Sequence, residues 1–151
     1  MPLILFLGNS IYAEDRIGLL VGEILKERLE TGDLQVEILE RIGYSLIEYI
    51  AGKDSVIIVD SIIGEYGEVK LIEDLKSFAA FSPKSPHYAG LPEAIELMKA
   101  LNLSIPERIL VLGIGIRDPY AIGDIPPELS AMLEEIAENV YAIIKNTLCA
   151  P

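Results

Sequence analysis

Residues 56–59 read VIIV, four consecutive β-branched side chains between Ser55 and Asp60. Side chains alternate across a strand, so an unbroken apolar run must be covered on both faces. It therefore reads as a central strand in a sheet with helices on each side. The flanking segments agree. Leu3–Leu7 (LILFL) is a second apolar run that stops at Gly8, and Ile17, Leu20, Val21, Ile24, Leu25 and Leu29 follow at helical spacing. Leu34, Val36 and Ile38 alternate with Gln35 and Glu37, the pattern of a half-buried strand.

A short helical turn is expected over Ser45–Ala51. GEVKLI, 67–72, reads as a strand reached through the turn Gly64–Gly67, and its connection is too short for a parallel crossover. Its pairing should be antiparallel. Residues 73–89 are the least regular stretch, with Pro83 and Pro86 near the single histidine, His87. A helical stripe over Leu91, Ile95, Met98 and Leu101 follows, and RILVL (108–112) is the last buried strand, stopping at Gly113-Ile114-Gly115. From Pro127 a long amphipathic helix carries Glu134, Glu135 and Glu138 on a solvated face. Strands alternating with helices predict an α/β fold: one three-layer domain over 1–151, a mostly parallel twisted sheet of about five strands, helices on both faces.

At 151 residues with 51% hydrophobic side chains the chain can bury a real core. Its 24 acids against 12 Lys and Arg, net charge −12, disfavour nucleic acid and anionic membrane surfaces. LILFL lacks the basic flank and cleavage site of a signal peptide, and no apolar run reaches spanning length, so a cytoplasmic protein without membrane insertion is expected. The single Cys149 cannot form an internal disulfide.

In such sheets ligands gather beyond the carboxyl ends of the strands. The loops expected there hold Gly8–Asp15, Asp60–Gly64 and Gly113–Asp118. The first has neither a dinucleotide fingerprint nor a phosphate-binding P-loop, and its two acids would repel a pyrophosphate. No G-x-S-x-G elbow occurs, and Ser61 has no nucleophile context. What remains is Asp15, Asp60 and His87, oxygen and nitrogen donors suited to a divalent ion such as Ni, Zn, Mn or Fe. Each has a plainer reading: Asp15 stabilises the positive end of a helix, Asp60 caps or turns the chain, and His87 is a solvated loop side chain.

These residues also fall in a recognisable order: G-N-x-x-x-x-[DE]-[DE]-x-x-G at Gly8-Asn9 through Glu14-Asp15 to Gly18, V-D-[AS] at Val59-Asp60-Ser61, S-x-H at Ser85-Pro86-His87, L-G-I at Leu112-Gly113-Ile114, and L-S at Leu129-Ser130. In this the chain resembles the [NiFe]-hydrogenase maturation endopeptidases almost end to end. The resemblance implies a phosphorylase/hydrolase-like fold and an aspartic-type endopeptidase. Such an enzyme, expected as a monomer, removes the C-terminal extension of the hydrogenase large-subunit precursor once nickel is inserted.

It further implies that Asp15, Asp60 and His87 contact the substrate's nickel, with Asp15 and Asp60 the residues expected to participate in catalysis. Gly8, Asn9, Glu14 and Arg16 support them, Glu14 at the helix entrance. Arg16 stands where many members have glycine, either to steady a carboxylate or to mark a changed substrate, and Gly113-Ile114-Gly115-Ile116 replaces the common G-x-x-P. A non-catalytic nickel-binding or chaperone-like protein would use the same three residues.

Overall fold

A computed structural model describes residues 2–32, 34–40, 45–74 and 91–149. The elements in chain order are β1 (Leu3–Gly8), α1 (Ile17–Glu30), β2 (Gln35–Glu40), α2 (Leu46–Ile50), β3 (Ser55–Ile63), β4 (Val69–Ile72), α3 (Leu91–Ala100), β5 (Arg108–Ile116), α4 (Pro127–Ala131) and α5 (Leu133–Cys149). The expected S-x-H loop, His87 included, lies outside the described residues.

The five strands form one sheet in the order β2-β1-β3-β5-β4. β1 runs parallel to β2 and β3, β3 parallel to β5, and β4 antiparallel to β5, as its short connection requires. The VIIV run is doubly covered. Ile57 and Val59 pack with Ile4 and Phe6 against Val21 and Leu25 of α1 and Val140 and Ile144 of α5. Val56 and Ile58 join Leu3 and Leu5 on the opposite face, under Leu46 and Ile50 of α2 and Ile95 and Met98 of α3. Each such side chain, fully buried, contributes about 1.5–3 kcal/mol.

Two expected strand ends move. β3 continues past Asp60 to Ile63, and β5 continues past Gly113 and Gly115 to Ile116; the two pair in register from Ser55–Arg108 to Ile63–Ile116. Asp60 is therefore a strand residue, not a loop residue. Neither glycine is a turn. A Cβ on Gly113 would lie 2.6 Å from Ile62 Cδ1, and one on Gly115 would lie 1.9 Å from the Glu65 carbonyl oxygen, so both positions admit close neighbours. The C-terminal helix is also interrupted, at Met132 between α4 and α5.

From β1 the chain passes through α1 to β2 on one side, then through α2 to β3 on the other. The winding direction thus reverses between β1 and β3, and the crevice at their carboxyl ends is where an open α/β sheet binds ligands.

Candidate functional site

Asp15 and Asp60 meet at that crevice. Asp15 lies in the loop between β1 and α1, and Asp60 sits in β3 opposite Gly113 of β5. Both are buried, 4% and 3% exposed. Ser61, fully buried beside them, donates its hydroxyl to Asp15 Oδ1, while its backbone N–H donates to Asp60 Oδ1 at 2.8 Å. One residue thus bonds both carboxylates. Strand alternation explains how: Ser61 is turned toward the α1 face while Asp60 shares the parity of Ile58 and Ile62.

Burial pushes the Asp60 carboxyl well above the ordinary carboxylate range, and the nearby Asp15 charge adds to the shift; the Ser61 N–H bond acts in the opposite direction. Such a pair either retains a proton or gains a cation. A divalent ion would relieve the repulsion between these groups. Among the described residues no three His, Cys, Asp or Glu side chains form a metal-binding group. Asp15 and Asp60 supply two of the expected donors, and the third, His87, is outside the described residues.

The first loop is shaped by its glycine and asparagine. Asn9 Oδ1 accepts the Ile11 N–H at 3.0 Å, and the Asn9 carbonyl accepts Tyr12 N–H at 3.2 Å, which turns the chain back over the strand. At Gly8 a Cβ would stand 2.8 Å from the Asp15 carbonyl oxygen, so the absent side chain lets the acid-bearing segment pass close to β1.

The Glu14 carboxylate does not cap the helix; only its backbone carbonyl meets the entrance, accepting the Ile17 N–H at 3.1 Å. Arg16 occupies the cap of α1 without a side-chain bond to the helix, and no acid lies in the first turn. The buried Glu14 carboxylate instead crosses to the loop after β5, accepting the backbone N–H groups of Arg117 at 2.9 Å and Asp118 at 3.2 Å. Tyr66 donates its hydroxyl to the same carboxylate, and the Arg117 guanidinium lies 4.0 Å over the Tyr66 ring. Burial and the bond to Glu14 push the Tyr66 phenol up.

Arg16 likewise steadies backbone rather than a carboxylate. Its Nε donates to the Tyr12 carbonyl at 3.3 Å, and a guanidinium nitrogen donates to the Gly123 carbonyl. Tyr12 bridges Ile122 as an isolated antiparallel pair, and Ala13 N–H donates to the Ala121 carbonyl at 2.7 Å. The loops after β1 and β5 are thus bonded along their length. Glu14→Ala would remove the acceptor of two part-buried backbone N–H groups, for a loss of about 1 kcal/mol. Hydrogen exchange should then quicken at the Arg117 and Asp118 amides more than in the sheet; Glu14→Gln, which keeps an acceptor oxygen, should quicken them less.

From sequence, Ser61 draws notice only as a motif residue without nucleophile context, and the loop after β5 is marked only as far as Asp118. Ser61 had a signal: a hydroxyl next to a strand acid points to the other face, toward the helix that follows the first loop. The partners of Glu14, 103 and 104 residues away, had none.

The chain matches the HycI family, described as hydrogenase maturation protease, over residues 19–147. It is 27% identical over 151 residues to the hydrogenase 2 maturation protease of Escherichia coli K12, covering 96% of this chain and 91% of that protein. A solved structure of the hydrogenase maturation protease HycI from Thermococcus kodakarensis is 28% identical, with TM-score 0.67 over 95% of this chain and 92% of the other. The maturating endopeptidase HybD of E. coli shares the fold, with TM-score 0.72 at 23% identity over 97% and 93% of the two chains. With the family matched over most of its length and its acids gathered at the sheet's switch point, this chain belongs to the hydrogenase maturation proteases and is a peptidase.

Proposed function

We propose that this peptidase removes the C-terminal extension of a [NiFe]-hydrogenase large-subunit precursor after nickel insertion, with the precursor's own nickel as the recognition element. The observation that carries this reading is the buried Asp15–Ser61–Asp60 arrangement, two carboxylates bonded through one residue at the carboxyl end of the sheet. Asp15, Asp60 and His87 complete the coordination of the incoming ion. Two carboxylates and an imidazole suit a divalent ion without the thiolates that would hold it tightly.

Asp60 gives up the proton its burial favours when the ion arrives, so capture of the loaded precursor strengthens as pH rises. The ion polarises the scissile carbonyl or an adjacent water. Hydrolysis adds the water oxygen to the carbonyl carbon and a proton to the departing amine, as the C–N bond breaks. The chain acts in the cytoplasm as one domain and as a monomer. No helix of the described residues is long and apolar enough to cross a membrane.

The test is incubation with nickel-loaded and nickel-free precursor, followed by mass spectrometry of the large subunit. Only the loaded form should be shortened. Asp15→Asn and His87→Ala should each slow that cleavage at least about 100-fold, about 2.7 kcal/mol in the barrier. Normal processing by either variant overturns the ligand assignment, and equal cleavage of both precursors overturns the nickel check.

A further inference from the structure

Beside the paired carboxylates the described surface carries an apolar cluster that the chemistry above does not use. Ile11 is 61% exposed, Tyr120 49% and Ile122 78%. Tyr12, next to Ile11 in the chain, links them: it bridges Ile122, and its ring meets that of Tyr120 edge-on with centroids 6.0 Å apart. This patch is also fixed. Arg16 holds Gly123, Ala13 holds Ala121, and Asp118 Oδ1 accepts the N–H groups of Tyr120 at 3.0 Å and Ala121 at 3.1 Å.

Large aliphatic side chains kept in water by a rigid backbone mark a contact surface. Ile11 lies four residues before Asp15 on the same loop, so whatever covers the patch lies at the mouth of the site. Its rim is acidic. Glu40, at the end of β2, accepts the Ser10 N–H at 3.1 Å, and Asp118 and Asp124 are exposed in the loop after β5. The cations close by are turned elsewhere: Arg16 to Gly123, and Arg117 to Glu128 and the Tyr66 ring.

We propose that Ile11, Tyr120 and Ile122 form the docking platform for the precursor segment next to the cleaved bond, a segment presenting aliphatic side chains flanked by Lys or Arg. The inference rests on the function proposed above, since a peptidase that reads a metal must also hold the polypeptide carrying it. The platform supplies affinity for the chain, while the carboxylates supply the check on its nickel. Apolar contact at the centre and opposite charge at the rim is the usual anatomy of a specific interface.

The experiment measures KM and kcat for a cognate nickel-loaded large-subunit precursor. The double variant Ile11→Ser/Ile122→Ser should raise KM at least tenfold while kcat falls less than threefold, and Ile11→Val/Ile122→Val should recover most of the loss. Leu101→Ser, which alters an exposed leucine beyond α3, is the surface control and should behave as wild type. Raising salt from about 0.05 to about 0.5 M should raise the wild-type KM, because rim charges are screened within a few ångströms at the upper value. Normal cleavage with an unchanged KM in the double variant overturns the platform and leaves the proposed function standing. A KM indifferent to salt overturns the basic flanks of the partner segment. Absence of cleavage by the wild type with its cognate loaded precursor overturns the proposed function and the platform with it.

Discussion

Asp60→Asn will melt at a higher temperature than the wild type at neutral pH and will fail to process the precursor. Burial and the Asp15 charge raise the Asp60 carboxyl above its unfolded value, about 3.9. As pH rises from there, the unfolded chain loses this proton first and the folded chain keeps it. The folded state then binds more protons than the unfolded one, so stability falls with rising pH until Asp60 itself ionises in the folded protein. Asparagine has the same shape and no proton to lose. The difference between the two proteins should therefore vanish below about pH 4 and grow through the window up to the raised Asp60 value. Typical gains from relieving such a site are about 1 kcal/mol, or roughly 2–4 °C for a chain of this size. Thermal melts over a pH series check this, and a variant no more stable than wild type at neutral pH would show that Asp60 is not strained in the metal-free protein.

Gly18→Ala acts in the opposite direction and more strongly. A Cβ at Gly18 would lie 2.0 Å from the Leu7 carbonyl oxygen and 3.1 Å from the Leu7 carbonyl carbon. Both atoms are backbone of β1, paired there with Leu39 of β2, so the strand yields little and α1 must lift by more than an ångström. Overpacking of this kind costs about 3 kcal/mol or more, which lowers the melting temperature by roughly 6–12 °C. Because α1 begins two residues after Asp15, the same displacement carries that carboxylate away from Ser61. Circular dichroism melts give the first effect and cleavage rates the second; a loss under about 1 kcal/mol would mean that the helix can be repositioned cheaply.

The layering of the fold was legible because it is written in local pattern. The VIIV run announced a strand covered twice, and the few residues between β3 and β4 allowed only an antiparallel return. The strand ends were not legible. Asp60, Gly113 and Gly115 look like breakers, but two strands paired along their whole length keep all three in the ladder, where each meets a close neighbour that sequence cannot show. The site divides in the same way. Asp15 and Asp60 follow from the motifs, whereas a carboxylate just before a helix reads as a cap, and only the folded chain reveals that Glu14 Oε1 accepts from both Arg117 and Asp118.

The strand order has a further consequence, for synthesis. β5 is the last strand made, yet it lies between β3 and β4, and among the described residues it is the only hydrogen-bonded neighbour of β4. Until Arg108–Ile116 leaves the ribosome, β3 presents an open apolar edge and β4 has no ladder to join. Such long-range pairing forms slowly and exposes aggregation-prone edges meanwhile. Glu14 Oε1 also waits for the N–H groups of Arg117 and Asp118, so a shorter nascent chain lacks these ties on the acid-bearing loop. The protease is thus subject to a maturation order of its own: its site closes only when its final strand is inserted.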